Sequence, residues 1–163
     1  MNFFKRINST LVGFQEIILF FGFPIILGIM LFQVLTRYVF KTFVLGTDEL
    51  AGHCALWLYF FGAAYGSYEQ SHIKAEFARL IVKKEKILVL LNAITAGLSV
   101  VVSSVMAKWS YDYVVWAVLT KQKMPSLKWP TFYFQLPIFL GFLLMTIYFF
   151  VELKDYSRKY LDL

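Results

Sequence analysis

The sequence predicts an all-α integral membrane fold, with four transmembrane helices in a single domain over residues 1–163 and a short interfacial amphipathic helix between helices two and three. Three observations carry this. The chain is 60% hydrophobic and 20% aromatic, against about 45–50% apolar for an ordinary soluble domain. The excess falls in four long runs, each about 17–21 residues, near the length that crosses a hydrocarbon core of roughly 30 Å. Lysine, arginine and aromatic residues flank these runs, as anchors at a membrane–water boundary do.

The first run, 17–35, holds one polar residue, Gln33, and Pro24 at its middle. Proline removes one backbone donor and should bend the helix. Lys5 and Arg6 precede the run, but it is longer than the apolar core of a signal peptide and is followed by Arg37-Tyr38-Val39 rather than a small-residue cleavage site. We therefore expect it to stay in the protein, as a span over 11–36. Residues 3–14 mix apolar and polar types, a pattern suited to the membrane surface.

The second span is expected over 48–68. Thr47 is a natural N-cap, and Asp48 and Glu49 then fall in the first turn, where carboxylates complement the helix dipole. Gly62 and Gly66 form a GxxxG pair that lets another helix approach closely. After this span, 74–82 puts Phe77, Ala78 and Ile81 on one face and Lys74 and Glu76 towards the other. That is the expected interfacial helix, with Lys83, Lys84 and Lys86 near phospholipid headgroups.

The third span is expected over 87–119. Its apolar part ends near residue 107, but Lys108, Asp112 and the aromatics Trp109, Tyr111, Tyr113 and Trp116 continue the pattern. A helix of that length is about 50 Å long, so it tilts or protrudes. Residues 120–129 are polar and basic and are bounded by prolines (Pro125, Pro130). The fourth span, 131–153, contains Pro137 and Gly141 and leads into a basic tail.

Four crossings place both termini on one side. About ten lysines and arginines lie on that side and about six on the other, so the positive-inside rule puts both termini in the cytoplasm. The net charge of +6 thus has a membrane explanation, and no nucleic-acid motif accompanies it.

Catalytic, metal and cofactor sites are not expected. Cys54 is the single cysteine, which excludes an internal disulfide and a CxxC pair. His53 and His72 fall at opposite membrane faces and cannot ligate one haem between them. Glu16 sits at the edge of the first apolar run, not in its middle, where a carboxylate would suggest proton coupling. Gln33, Asn92 and Gln135 are read as interhelical hydrogen-bonding groups, each worth about 1 kcal/mol. Arg37 is expected to pair with Asp48 or Glu49 across the short connection and clamp the first hairpin. Lys121, Lys123 and Lys128, beside Trp116 and Trp129, form a basic rim.

The order of motifs resembles a family. Arg37-Tyr38-Val39-Phe40, then Asp48-Glu49-Leu50-Ala51, Trp57, Gly62-Ala63-Ala64 and His72-Ile73 before Glu76 is similar to the small membrane subunit of TRAP transporters, the DctQ-like family. Pro125, Leu127, Trp129-Pro130, Pro137 and Gly141-Phe142 agree with that family's last loop and fourth helix. The likeness spans 29–145. It departs at Gly46-Thr47, where the family often has an aromatic, and at Glu69-Gln70-Ser71, where it often has a basic residue. The resemblance implies a subunit in the bacterial inner membrane. Its partners would be a large ion-coupled membrane subunit and a periplasmic substrate-binding protein, with an organic anion taken up on a sodium gradient. His72, Ile73 and Glu76 would be the family's loop motif. Two other classes remain: a small proton-coupled four-helix exporter, which needs a mid-membrane carboxylate, and a membrane redox or quinone protein, which needs paired histidines or CxxC.

Overall fold

In the computed structural model, residues 2–42, 44–69 and 85–161 are described. They form four α-helices: α1 (Asn2–Tyr38), α2 (Thr47–Tyr68), α3 (Glu85–Leu119) and α4 (Phe132–Leu161). The expected interfacial helix at 74–82 lies outside the described residues. Among the described residues, three helices are long and apolar enough to cross a membrane: α1 from Leu11 to Tyr38, α3 and α4. The second helix has the length, but Asp48, Glu49, His53, the tyrosines and the glycines lower its mean hydropathy, and it is not among them.

The helices run further than the apolar runs do. α1 is continuous from Asn2 and passes through Pro24, so residues 3–14 extend the first helix instead of forming a separate surface segment. α4 continues to Leu161 through Lys154, Asp155 and Arg158. In α4, Glu152, Leu153, Lys154, Arg158 and Lys159 are good helix formers and continue the turn after hydropathy has fallen. At that end Lys159 Nζ lies 3.0 Å from Glu85 on α3, in a pair exposed on both sides. The Lys86 ammonium lies 5.3 Å from the centre of the Tyr160 ring.

The helices pack in the order α1–α2–α4–α3. α2 is antiparallel to α1: Asp48 meets Gln33, Gly22 meets Leu58, Gly62 meets Leu19 and Tyr65 meets Glu16. It is parallel to α4: His53 lies against Phe134, Phe60 against Gly141 and Phe142, and Tyr68 against Tyr148. The tightest approach is at Gly141. A Cβ built there would lie 2.7 Å from Phe60 Cβ and 3.0 Å from the Phe60 carbonyl oxygen, so any side chain would push two backbones apart. Just beyond this crossing, Ala64, Met145 and Tyr148 form a buried cluster, covered by Phe60, Ala63, Phe142, Leu144 and Phe149.

α3 buries Val89, Ala96, Ser103, Ser110 and Ala117. Every seventh residue is small or medium-sized, which keeps one narrow stripe on its neighbour along the whole helix. The two serines bring no unsatisfied hydroxyl into this seam, because Ser103 donates to the Val100 carbonyl at 3.2 Å and Ser110 to the Met106 carbonyl at 2.8 Å. Elsewhere the helices expose apolar side chains, most of all on α1, where Phe14, Phe20, Phe21, Phe23, Leu31 and Phe32 all face outward. In water that would be untenable; in lipid the surroundings are as apolar as the side chains.

Candidate functional site: the loop rim

The connections 39–46 and 120–131 meet at one end of the helix row. The second is a compact hairpin, held by an isolated bridge between Lys123 and Pro130. Its backbone ladder runs Met124 N–H to the Trp129 carbonyl at 2.8 Å, Lys128 N–H to Met124 at 3.1 Å and Thr131 N–H to Gln122 at 3.0 Å. Met124 is only 2% exposed and anchors the hairpin from below. Lys121 and Lys128 adopt positive φ of 48° and 58°. This backbone is uncommon for a side-chain-bearing residue and marks the two corners.

Pro125 has no N–H, and the next two N–H groups face α2. There the Glu49 carboxylate accepts them: Ser126 N–H lies 3.4 Å and 3.2 Å from its two oxygens and Leu127 N–H 3.3 Å from one. Each contact is long for N–H···O, but three converge on one negative charge, and a charged acceptor roughly doubles the strength of such bonds. Gly46, the N-cap of α2, sits at φ 96°. A Cβ there would come within 3.0 Å of the Leu127 side chain. The left-handed backbone favours glycine, and with any other residue the Leu127 side chain would also have to shift. The sequence assigned the N-cap to Thr47, and the structure corrects this: Thr47 is the first helical residue, one position inside the Gly46 cap, and its hydroxyl donates to the Val44 carbonyl at 3.1 Å.

Beside the hairpin an aromatic groove of about 500 Å3 is lined by Trp57, Trp129, Pro130, Tyr133 and Phe134. Trp129 stacks on Phe134 with centroids 6.4 Å apart, and His53 meets the same ring edge-on at 4.4 Å. His53 Nδ1 bonds to the Glu49 carbonyl one turn back, so its ring is held as a packing group. Among the described residues no group of three or more His, Cys, Asp or Glu could hold a metal ion.

The structure does not bring Arg37 to either acid. Asp48 accepts from Gln33 Nε2, and Glu49 is taken by the hairpin. Arg37 is exposed, and its guanidinium lies 5.9 Å from the centre of the Tyr38 ring. Gln33, one turn earlier on α1, reaches the position that the sequence assigned to Arg37. Lys121, Lys123 and Lys128 are all exposed and all on the hairpin. Gly62 faces Leu19 of α1, with 3.5 Å to a built Cβ, an ordinary contact, and Gly66 is half-buried. His72, Ile73 and Glu76 lie outside the described residues. Of the three amides, Gln33 makes an interhelical bond; Gln135 is 4% exposed, and neither end of its amide has a partner.

Sequence reasoning missed the partner of Glu49, the plug Met124 and the crossing at Gly141. It also missed a polar contact at the other end of the row, where fully buried Gln15 accepts from the Tyr148 hydroxyl at 3.4 Å. The Tyr65 hydroxyl there lies 2.8 Å from Glu69 and 3.2 Å from Glu16.

Long, outward-apolar helices joined at one end by a structured basic rim define a membrane protein. The sequence matches the family model described as tripartite ATP-independent periplasmic transporters, DctQ component, over residues 26–158. The chain belongs to that family; it is the small membrane subunit of a TRAP transporter and not an enzyme. Comparison with curated proteins gave no match.

Proposed function

We propose that this subunit buttresses the large ion-coupled subunit of the transporter through its helices and docks the soluble substrate-binding protein on the loop rim. The complex then takes up an organic anion on a sodium gradient. On this reading α2 crosses the inner membrane as the fourth span, both termini are cytoplasmic, and the rim is periplasmic. The packing of α2 between two span-competent helices, in register with both, supports the fourth crossing.

The observation that carries the docking role is the hairpin itself. It presents Lys121, Lys123 and Lys128 from a hydrogen-bonded frame instead of a slack loop. Arg37, in the last turn of α1, and Lys41, on the adjoining connection, are exposed at the same end and add to the positive charge there. A soluble partner with an acidic face would be steered to it, mainly through association rate and salt dependence. Phospholipid headgroups are the other natural occupants of such charges.

The test is uptake by the reconstituted complex as a function of binding-protein concentration. Replacing Lys121, Lys123 and Lys128 with glutamine should raise the half-saturating concentration, most at low salt. An unchanged value at low salt would mean that the lysines serve only the phospholipid surface.

A further inference from the structure

We propose that Glu49 is a positioning residue for this docking: by holding the tip of the 120–131 hairpin it fixes the rim lysines against the first interhelical connection, so that the soluble partner meets one preformed platform. The inference rests on the docking reading above.

The argument starts from backbone accounting. Within the hairpin, Met124, Lys128 and Thr131 use their N–H groups internally. Ser126 and Leu127, at the tip, have no carbonyl to serve them, and the acceptor comes from 77 and 78 residues away, the side chain of Glu49. Glu49 lies in the first turn of α2. Its backbone is therefore fixed by the helix, and the reach of its side chain sets the height of the tip. Gly46 completes the contact: its missing side chain leaves room for Leu127 against the connection from α1. Met124, in the same hairpin, is buried and bonded through both its N–H and its carbonyl within the turn.

The charge matters as well as the reach. Glu49 is half-buried under the tip, while the lysines around it are exposed. Its carboxylate bonds to main-chain N–H groups, so it leaves the ammonium groups to a partner. A loop held in this way loses little freedom when it docks, whereas a loosened one must be ordered at the moment of binding, at a cost in affinity. The expected signature is a weaker dependence on binding protein with the transport step intact.

The experiment uses the complete membrane complex in proteoliposomes, with purified substrate-loaded binding protein added outside. Glu49→Ala should raise the half-saturating binding-protein concentration about tenfold, the order expected for losing preorganisation of several side chains. The maximal rate should stay within about twofold, since nothing in the transport step is altered. Glu49→Gln keeps the size and one acceptor oxygen and should fall between. In hydrogen exchange, the Ser126 and Leu127 amides should exchange about tenfold faster in Glu49→Ala, as loss of charge-assisted bonds predicts. A purely structural role would instead lower complex yield and maximal rate together, with half-saturation unchanged, and that result overturns the inference. If the lysine variant shifts half-saturation and Glu49→Ala does not, docking stands and the positioning role fails. If neither variant shifts it, the docking reading fails and takes this inference with it.

Discussion

Replacing Gly141 with alanine should separate α2 from α4. The built Cβ at 141 lies 2.7 Å from Phe60 Cβ, 3.0 Å from the Phe60 oxygen and 3.2 Å from its carbonyl carbon. Carbon atoms in contact sit about 3.5–4.0 Å apart, so the deficit is about 1 Å. The obstructing atoms are backbone and Cβ, which no rotamer change can move. The helices must therefore part, and a gap of about 0.5–1 Å forfeits a quarter to a half of each contact along the seam. Overpacking of this kind costs about 1–3 kcal/mol. The loss falls on the cluster of Ala64, Met145 and Tyr148, one turn further along the same interface. Two other glycines provide the scale. Gly97→Ala would meet Leu153 at an ordinary 3.8 Å, and Gly28→Ala would meet nothing within 4 Å. The assay is the unfolding midpoint of the detergent-solubilised subunit for the three variants. Gly141→Ala should be less stable than wild type by about 2 kcal/mol, while the other two stay within about 0.5 kcal/mol. A Gly141→Ala protein as stable as Gly28→Ala would refute the close helix crossing.

Gln135 is buried with both ends of its amide unpartnered, so Gln135→Leu should stabilise the isolated subunit by about 1–2 kcal/mol, measured by the same midpoint; a loss of stability would mean that the amide has a partner in solution. The proposed topology predicts that alkaline phosphatase fused after Lys123 is active and fused after Lys84 is silent; the opposite result inverts the orientation.

The helices were legible because their signal is local: the stretches expected at 48–68 and 87–119 are helical over Thr47–Tyr68 and Glu85–Leu119, although the second is not among the helices apolar enough to cross a membrane. The terminal ends of α1 and α4 were missed because hydropathy tracks the solvent, whereas a helix can continue past the membrane boundary. The rim was legible as charge and composition but not as architecture. Glu49 was found as a first-turn acid and assigned, as an alternative to Asp48, to Arg37 across the short connection. Its observed partners are main-chain N–H groups on a loop far along the chain, and a backbone donor has no sequence signature beyond the neighbouring proline. The glycines tell a similar story. The Gly62/Gly66 pair matches a known spacing, yet the closest crossing belongs to a lone glycine, Gly141, whose role depends on which helix lies opposite. By contrast, the seven-residue stripe of Val89, Ala96, Ser103, Ser110 and Ala117 was readable in advance and was overlooked, because the uniform hydropathy of that run hides differences in side-chain size.

The order α1–α2–α4–α3 has a consequence for how the chain is made. A polypeptide emerges from its N-terminus, so α1 and α2 can close as a hairpin as soon as both have been synthesised. The third helix then arrives with its main neighbour still untranslated, since its small-residue stripe faces α4. Only when residues 132–161 emerge can the last helix insert between two earlier ones, taking α2 on one flank and α3 on the other. A ribosome that stops before Phe132 thus leaves not a slightly shortened protein but a hairpin and an orphan helix.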